Sequence, residues 1–113
     1  MVDDSLFLRK RLRQTLEPEY AMIEANNGLA ALDQIATQEF DCILTDLLMP
    51  DMDGFGLLAE IARRKILTPV VVVTADIQKT TRERCKELGA SALVQKPVDA
   101  EVLRSVLLSV LRG

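Results

Sequence analysis

Pro69 is followed by Val-Val-Val-Val-Thr-Ala, residues 70–75, with four β-branched aliphatic residues in a row. A strand wetted on one face alternates apolar and polar residues, whereas a strand buried on both faces reads as an unbroken apolar run. Burial on both faces is the condition of a parallel sheet covered by helices. Cys-Ile-Leu-Thr at 42–45 and Ala-Leu-Val-Gln at 92–95 are two further short runs of this kind. The stretches between them carry apolar residues at helical spacing, as at Leu57, Leu58, Ile61 and Ala62. Strands separated by helices of roughly 10–15 residues, joined by right-handed crossovers, predict an α/β fold: a doubly wound parallel sheet in three layers.

The remaining punctuation agrees. Ser5 is placed to cap a helix in which Leu8, Leu12 and Leu16 recur, until Glu17–Pro18 stops it. Residues 20–25 alternate as a strand would, Asn-Asn-Gly at 26–28 turns the chain, and Leu29, Leu32, Ile35 and Ala36 mark a second helix. A helix from about Ile77 to Leu88 ends at Gly89, and Pro97 precedes a last one from about Asp99 to Leu111. No linker or repeat interrupts this order, so residues 1–113 are expected to form one domain.

Several classes of function are disfavoured at once. The chain has no histidine, so it has no imidazole base and cannot carry phosphohistidine; acid–base or phosphoryl chemistry falls to carboxylates, hydroxyls, lysine and metal. A net charge of −3 argues against a nucleic-acid surface. No apolar run approaches the roughly 20 residues of a membrane span, and no secretion signal is apparent, so a cytoplasmic protein is expected. Cys42 and Cys85 lack metal or redox spacing and read as buried free thiols.

In open parallel sheets, ligands bind beyond the carboxyl ends of the strands. Met1–Val2 leads to Asp3 and Asp4, the run at 42–45 to Asp46, the valine run to Thr74, and the run at 92–95 to Lys96. Each has an ordinary explanation: a helix cap for the acidic pair, backbone N–H bonds for Asp46, a turn for Thr74, a solvated ammonium for Lys96. Together they put three carboxylates, a hydroxyl and an ammonium along one sheet edge. Converging carboxylates need a cation, and hard oxygen donors suit Mg²⁺. The lysine is suited to a phosphoryl oxygen.

Val-Asp-Asp-Ser at 2–5, Thr-Asp-Leu-Leu-Met-Pro-Asp-Met-Asp-Gly at 45–54, Val-Val-Val-Thr-Ala at 71–75 and Gln-Lys-Pro at 95–97 together resemble the receiver domain of two-component response regulators. The resemblance covers the chain except for a missing start. It implies a flavodoxin-like sheet of order 2-1-3-4-5, with the first strand reduced to the stub Met1–Val2. It also implies that Asp46 accepts a phosphoryl group and that Asp3, Asp4, Asp46 and the Leu48 carbonyl hold Mg²⁺. Thr74 and Lys96 would contact the phosphoryl oxygens, with a cis bond before Pro97. Pro50, Asp53 and Gly54 would shape the loop and start the next helix.

The implied function is that of a single-domain phosphoacceptor rather than an enzyme. Its phosphate would come from a histidine kinase or histidine phosphotransfer protein, and its signal would pass to a downstream protein. The basic residues Arg9, Lys10, Arg11 and Arg13 on the first helix are read mainly as a solvated face, with a part in partner steering. The alternative is a phosphorylation-independent pseudo-receiver that acts only by binding protein. A haloacid-dehalogenase-type phosphatase is disfavoured because the position two residues after Asp46 is Leu48, not an acid.

Two departures from the family's common pattern are visible. Leu93 stands where an aromatic residue is usual, and the first strand is short. The short strand implies a truncated receiver with weakened Mg²⁺ binding. Either its neighbours close up around the stub, or a segment of another chain fills the slot and makes a dimer.

Overall fold

The computed structural model describes residues 1–2, 6–17, 20, 23–47 and 53–112. Its elements are α1 (Leu6–Leu16), α2 (Gly28–Thr37), β1 (Ile43–Thr45), α3 (Gly54–Arg63), β2 (Val70–Thr74), α4 (Lys79–Glu87), β3 (Ala92–Gln95) and α5 (Ala100–Arg112). The three strands are parallel and lie in the order β1-β2-β3. Ile43 pairs with Val70, and Val71 with Ala92.

Alternate strand residues feed two cores, as the period of 2 requires. Ile43, Val70 and Val72 join Leu32, Leu57, Leu58, Ile61 and Cys85 from α2, α3 and α4 on one face. Leu44, Val71, Val73 and Val94 join Leu12 and Leu16 of α1 and Leu103 and Leu107 of α5 on the other. The unbroken valine run is therefore buried along its whole length, and the α/β layering follows the sequence pattern.

Helix ends follow local chemistry. The Asn27 side chain accepts the Ala30 N–H at 2.8 Å, and Asp53 accepts that of Gly56 at 2.8 Å, each meeting a donor the first turn leaves unpaired. Gly89 closes α4 at φ 96°, a left-handed conformation that favours glycine.

Among the described residues the sheet has three of the five expected strands. Residues 1–2 and 23–25 contribute only isolated parallel bridges, Val2 with Ala25 and Val2 with Thr45. The Val2 N–H donates to the Leu44 carbonyl at 2.7 Å, the Asp46 N–H to the Val2 carbonyl at 3.0 Å, and the Ala25 N–H to the Met1 carbonyl at 2.9 Å. Two residues, Met1 and Val2, make bridges rather than a ladder, so among the described residues the ladder begins at β1. The neighbours have nevertheless not closed up around them: Val2 bridges both. Of the two thiols, Cys85 is buried, but Cys42 is only half-buried beside the N-terminus. Among the described residues, no helix is long and apolar enough to cross a membrane.

Candidate functional site

The carboxyl ends of β1, β2 and β3 place Asp46, Thr74 and Lys96 at one edge of the sheet. Asp46 directly follows β1 and is only 7% exposed. Its backbone is fixed from both sides: its N–H donates to Val2, and its carbonyl accepts the Thr45 hydroxyl at 2.9 Å. Oδ1 accepts the Leu47 N–H at 2.7 Å, while Oδ2 meets Lys96 Nζ at 2.7 Å, across fifty residues of sequence. The backbone bond expected of a purely structural aspartate is thus present, and so is a charged partner that such a role does not need. A carboxylate has about four acceptor sites, so these two bonds do not by themselves saturate it.

Lys96 is aimed by its own backbone. Its N–H donates to the Thr74 carbonyl at 2.9 Å, which ties the two strand ends together, and the bond to Pro97 is cis. Thr74 is 2% exposed, and its hydroxyl accepts the Asp76 N–H at 3.2 Å. Asp76 in turn accepts the Gln78 N–H at 3.0 Å and the Thr81 hydroxyl at 2.8 Å. Sequence reasoning did not single out this Asp76–Thr81 brace, although an aspartate just before a helix is a recognisable capping signal.

Gly54 has a sharper role than starting a helix. Its N–H donates to the Leu47 carbonyl at 2.9 Å. A Cβ there would collide with the Asp46 carbonyl oxygen and lie 2.7 Å from the Leu47 Cα. The α3 N-terminus can therefore press on the Asp46 backbone only because residue 54 has no side chain. Asp53 caps α3 as expected.

Of the residues proposed to hold metal, Asp3, Asp4 and Leu48 lie outside the described residues, as do Ser5 and Pro50. Among the described residues no group of three or more acidic, histidine or cysteine side chains forms a metal cluster. The donor set named from sequence consists only of carboxylates and a carbonyl, hard oxygen ligands that fit Mg²⁺. The residue before Asp3, Val2, is hydrogen-bonded directly to Asp46.

Arg9 and Arg13 of α1 both reach Glu24, at 3.2 and 2.6 Å. Of the four basic residues on that helix, Lys10 and Arg11 are exposed. Leu93 is half-buried and packs on the core beneath α2, α3 and α4.

The family model for the response regulator receiver domain matches residues 1–108. The chain belongs to the response regulator receiver family. The receiver is 35% identical over 108 residues to the sensor histidine kinase RcsC of Salmonella typhimurium, covering 95% of this chain and 11% of the kinase. It is 38% identical over 98 residues to the transcriptional regulatory protein ResD of Bacillus subtilis, covering 86% of this chain and 40% of that protein. The receiver thus spans well under half the length of these relatives. Solved structures agree in fold. Chemotaxis protein CheY4 of Vibrio cholerae superposes with a TM-score of 0.90 at 29% identity, covering 96% of this chain and 93% of that one. The receiver domain of a LuxO repressor protein of Vibrio parahaemolyticus gives 0.94 at 28%, covering 98% and 86%. The flavodoxin-like receiver fold, with its five helices and parallel sheet, is therefore this chain's fold.

Proposed function

We propose that this receiver accepts a phosphoryl group on Asp46, in the cytoplasm, within a two-component or phosphorelay pathway. The observation that supports this most is the 2.7 Å contact between Lys96 Nζ and the carboxylate of Asp46 at the strand ends. Asp46 lies at the switch between strands, and Lys96 offers the charge an incoming phosphoryl oxygen needs. In this reading the full sheet has the order 2-1-3-4-5, with Met1–Val2 in the place of the first strand.

The phosphodonor is the phosphohistidine of a histidine kinase or histidine phosphotransfer protein, since the chain has no histidine. An Asp46 carboxylate oxygen attacks phosphorus in line, the P–N bond breaks, and the imidazole leaves with a proton. Lys96 turns from Asp46 toward an equatorial oxygen, and the Thr74 hydroxyl donates to another. Asp3, Asp4, Asp46 and the Leu48 carbonyl would hold Mg²⁺, which when bound offsets charge on the phosphoryl oxygens. The Asp46 N–H bond to Val2 keeps the nucleophile in place while its side chain changes partners. Turnover is limited to the protein's own phosphorylation and dephosphorylation, so it is a signal carrier rather than an enzyme, and its output passes to a downstream protein. The names of its relatives, a histidine kinase and a transcriptional regulator, support that setting.

Incubation with acetyl phosphate and Mg²⁺ should add one phosphoryl group by intact-mass spectrometry, with none in Asp46→Asn and little in EDTA. Equal labelling of Asp46→Asn would overturn the assignment. No labelling of the wild type from either acetyl phosphate or a phosphohistidine donor would favour the pseudo-receiver reading.

A further inference from the structure

The segment between β2 and α4 puts no side chain into either core. Residues 75–80 are all exposed, Ile77 among them at 43%. α4 itself buries only Thr81 and Cys85. Apolar burial therefore does little to set the course of this loop, and hydrogen bonds set it instead. Asp76 is where they meet. Its N–H donates to Thr74 Oγ at 3.2 Å, its Oδ1 accepts the Gln78 N–H at 3.0 Å, and its Oδ2 accepts the Thr81 hydroxyl at 2.8 Å.

These bonds are not those of an ordinary helix cap. A capping carboxylate accepts backbone N–H groups from the second or third residue of the helix. Asp76 instead accepts from Gln78, which itself stands at the cap position, and from the Thr81 side chain in the first turn. What the two bonds fix is residue 76, and with it the direction of its N–H. The Thr74 backbone is already held, its carbonyl by the Lys96 N–H and its strand by β3. Its side chain has three staggered rotamers, and only one that keeps Oγ toward Asp76 makes the 3.2 Å bond. That bond uses a lone pair of the hydroxyl and not its proton.

We infer that Asp76, braced by Thr81, is a positioning residue for phosphoryl transfer: its N–H holds the Thr74 hydroxyl in one rotamer, with the proton left to donate to a phosphoryl oxygen on Asp46. This role rests on the proposed phosphorylation of Asp46 and adds a residue to it. The hydroxyl keeps its proton throughout and lends a hydrogen bond to charge that grows on the phosphoryl oxygens. A hydroxyl that already accepts one bond donates the next more strongly, so the Asp76 N–H also sharpens the donor it positions. With the loop side chains exposed, loss of the Asp76–Thr81 bond frees residue 76 and with it the Thr74 side chain, and Thr81→Val does this while keeping the buried volume.

The test is the rate of phosphorylation by acetyl phosphate with Mg²⁺, followed by intact mass. Asp76→Ala and Thr81→Val should each slow it about three- to tenfold, the worth of one hydrogen bond. Thr81→Ser keeps the hydroxyl and should stay within about twofold of wild type. On Thr74→Val, where no hydroxyl remains to be positioned, adding Asp76→Ala should change the rate by less than about twofold. In the unphosphorylated protein, the NMR coupling between Hα and Hβ of Thr74 should report a single rotamer, and an average over rotamers in Asp76→Ala. A wild-type rate in Asp76→Ala or Thr81→Val, an equal loss in Thr81→Ser, the same fold loss on Thr74→Val, or an unchanged coupling would each overturn the inference and leave phosphorylation of Asp46 standing. Absence of labelling in the wild type would overturn the proposed function, and this role with it.

Discussion

Asp46 is a buried carboxylate held by backbone on one side and paired with a lysine on the other. Its backbone is clamped by Val2, Thr45 and the close approach of Gly54, while its side chain accepts from the Leu47 N–H and from the Lys96 ammonium. The glycine is testable at this scale. Alanine normally favours a helix by up to about 1 kcal/mol, but overpacking against rigid backbone costs about 1–3 kcal/mol or more. Clash should win here, because the obstructing atoms are backbone of Asp46 and Leu47. Gly54→Ala should lower stability by about 2 kcal/mol in urea titration; a neutral or stabilising result would contradict the close approach.

The Met1 amine supplies a second residue-scale prediction, for the chain starting at that residue. Its folded value, about 6, lies below the ordinary 8.0, so between those values the unfolded state binds more protons. Stability then rises as pH increases from about 6 to 8, by at most roughly 2–3 kcal/mol. The window is clean because the chain has no histidine. Glu60, hydrogen-bonded to Arg63 and Arg64, is held down to about 2, and burial pushes the Cys42 thiol up to about 11. Urea midpoints at pH 6 and pH 8 measure the effect, and N-terminal acetylation should flatten it.

Among elements, β1, β2 and β3 were legible because a doubly buried parallel strand has few ways to be written, and Val70–Val73 is the plainest of them. The helices were legible from periodicity and caps, with boundaries shifted by a residue or two, as where α4 begins at Lys79 rather than near Ile77. Of the run read as a strand at 20–25, the described residues 23–25 give one isolated bridge, Ala25 with Val2, because a strand exists by virtue of its neighbour and Met1–Val2 is the part of that neighbour described. Replacing Met1–Val2 by Lys-Ile-Leu-Ile-Val lengthens that neighbour. Burial of about three aliphatic side chains, less the cost of ordering them, leaves a gain of about 2–4 kcal/mol. The melting temperature should rise by roughly 10 °C, and an unchanged value would show that the slot adds nothing to stability.

Over the whole molecule, the site was legible further than sequence distance suggests. Asp46 and Lys96 are fifty residues apart, yet the rule that parallel sheets gather function at their carboxyl ends brings them to the same edge, where the structure puts them in contact. Contacts made by surfaces rather than strand ends were not legible. Nothing local to Gly54 announces the backbone of Asp46, and nothing local to Arg9 or Arg13 announces Glu24, so the basic face of α1 looked more uniform than it is. Under the proposed function, this edge serves one covalent event on one residue, Asp46. Borohydride reduces an acyl phosphate of aspartate to homoserine, so protein phosphorylated with Mg²⁺ and acetyl phosphate, then reduced and digested, reports the acceptor by peptide mass. Homoserine at position 46 alone is the predicted result; homoserine at another aspartate, with aspartate intact at 46, would contradict it.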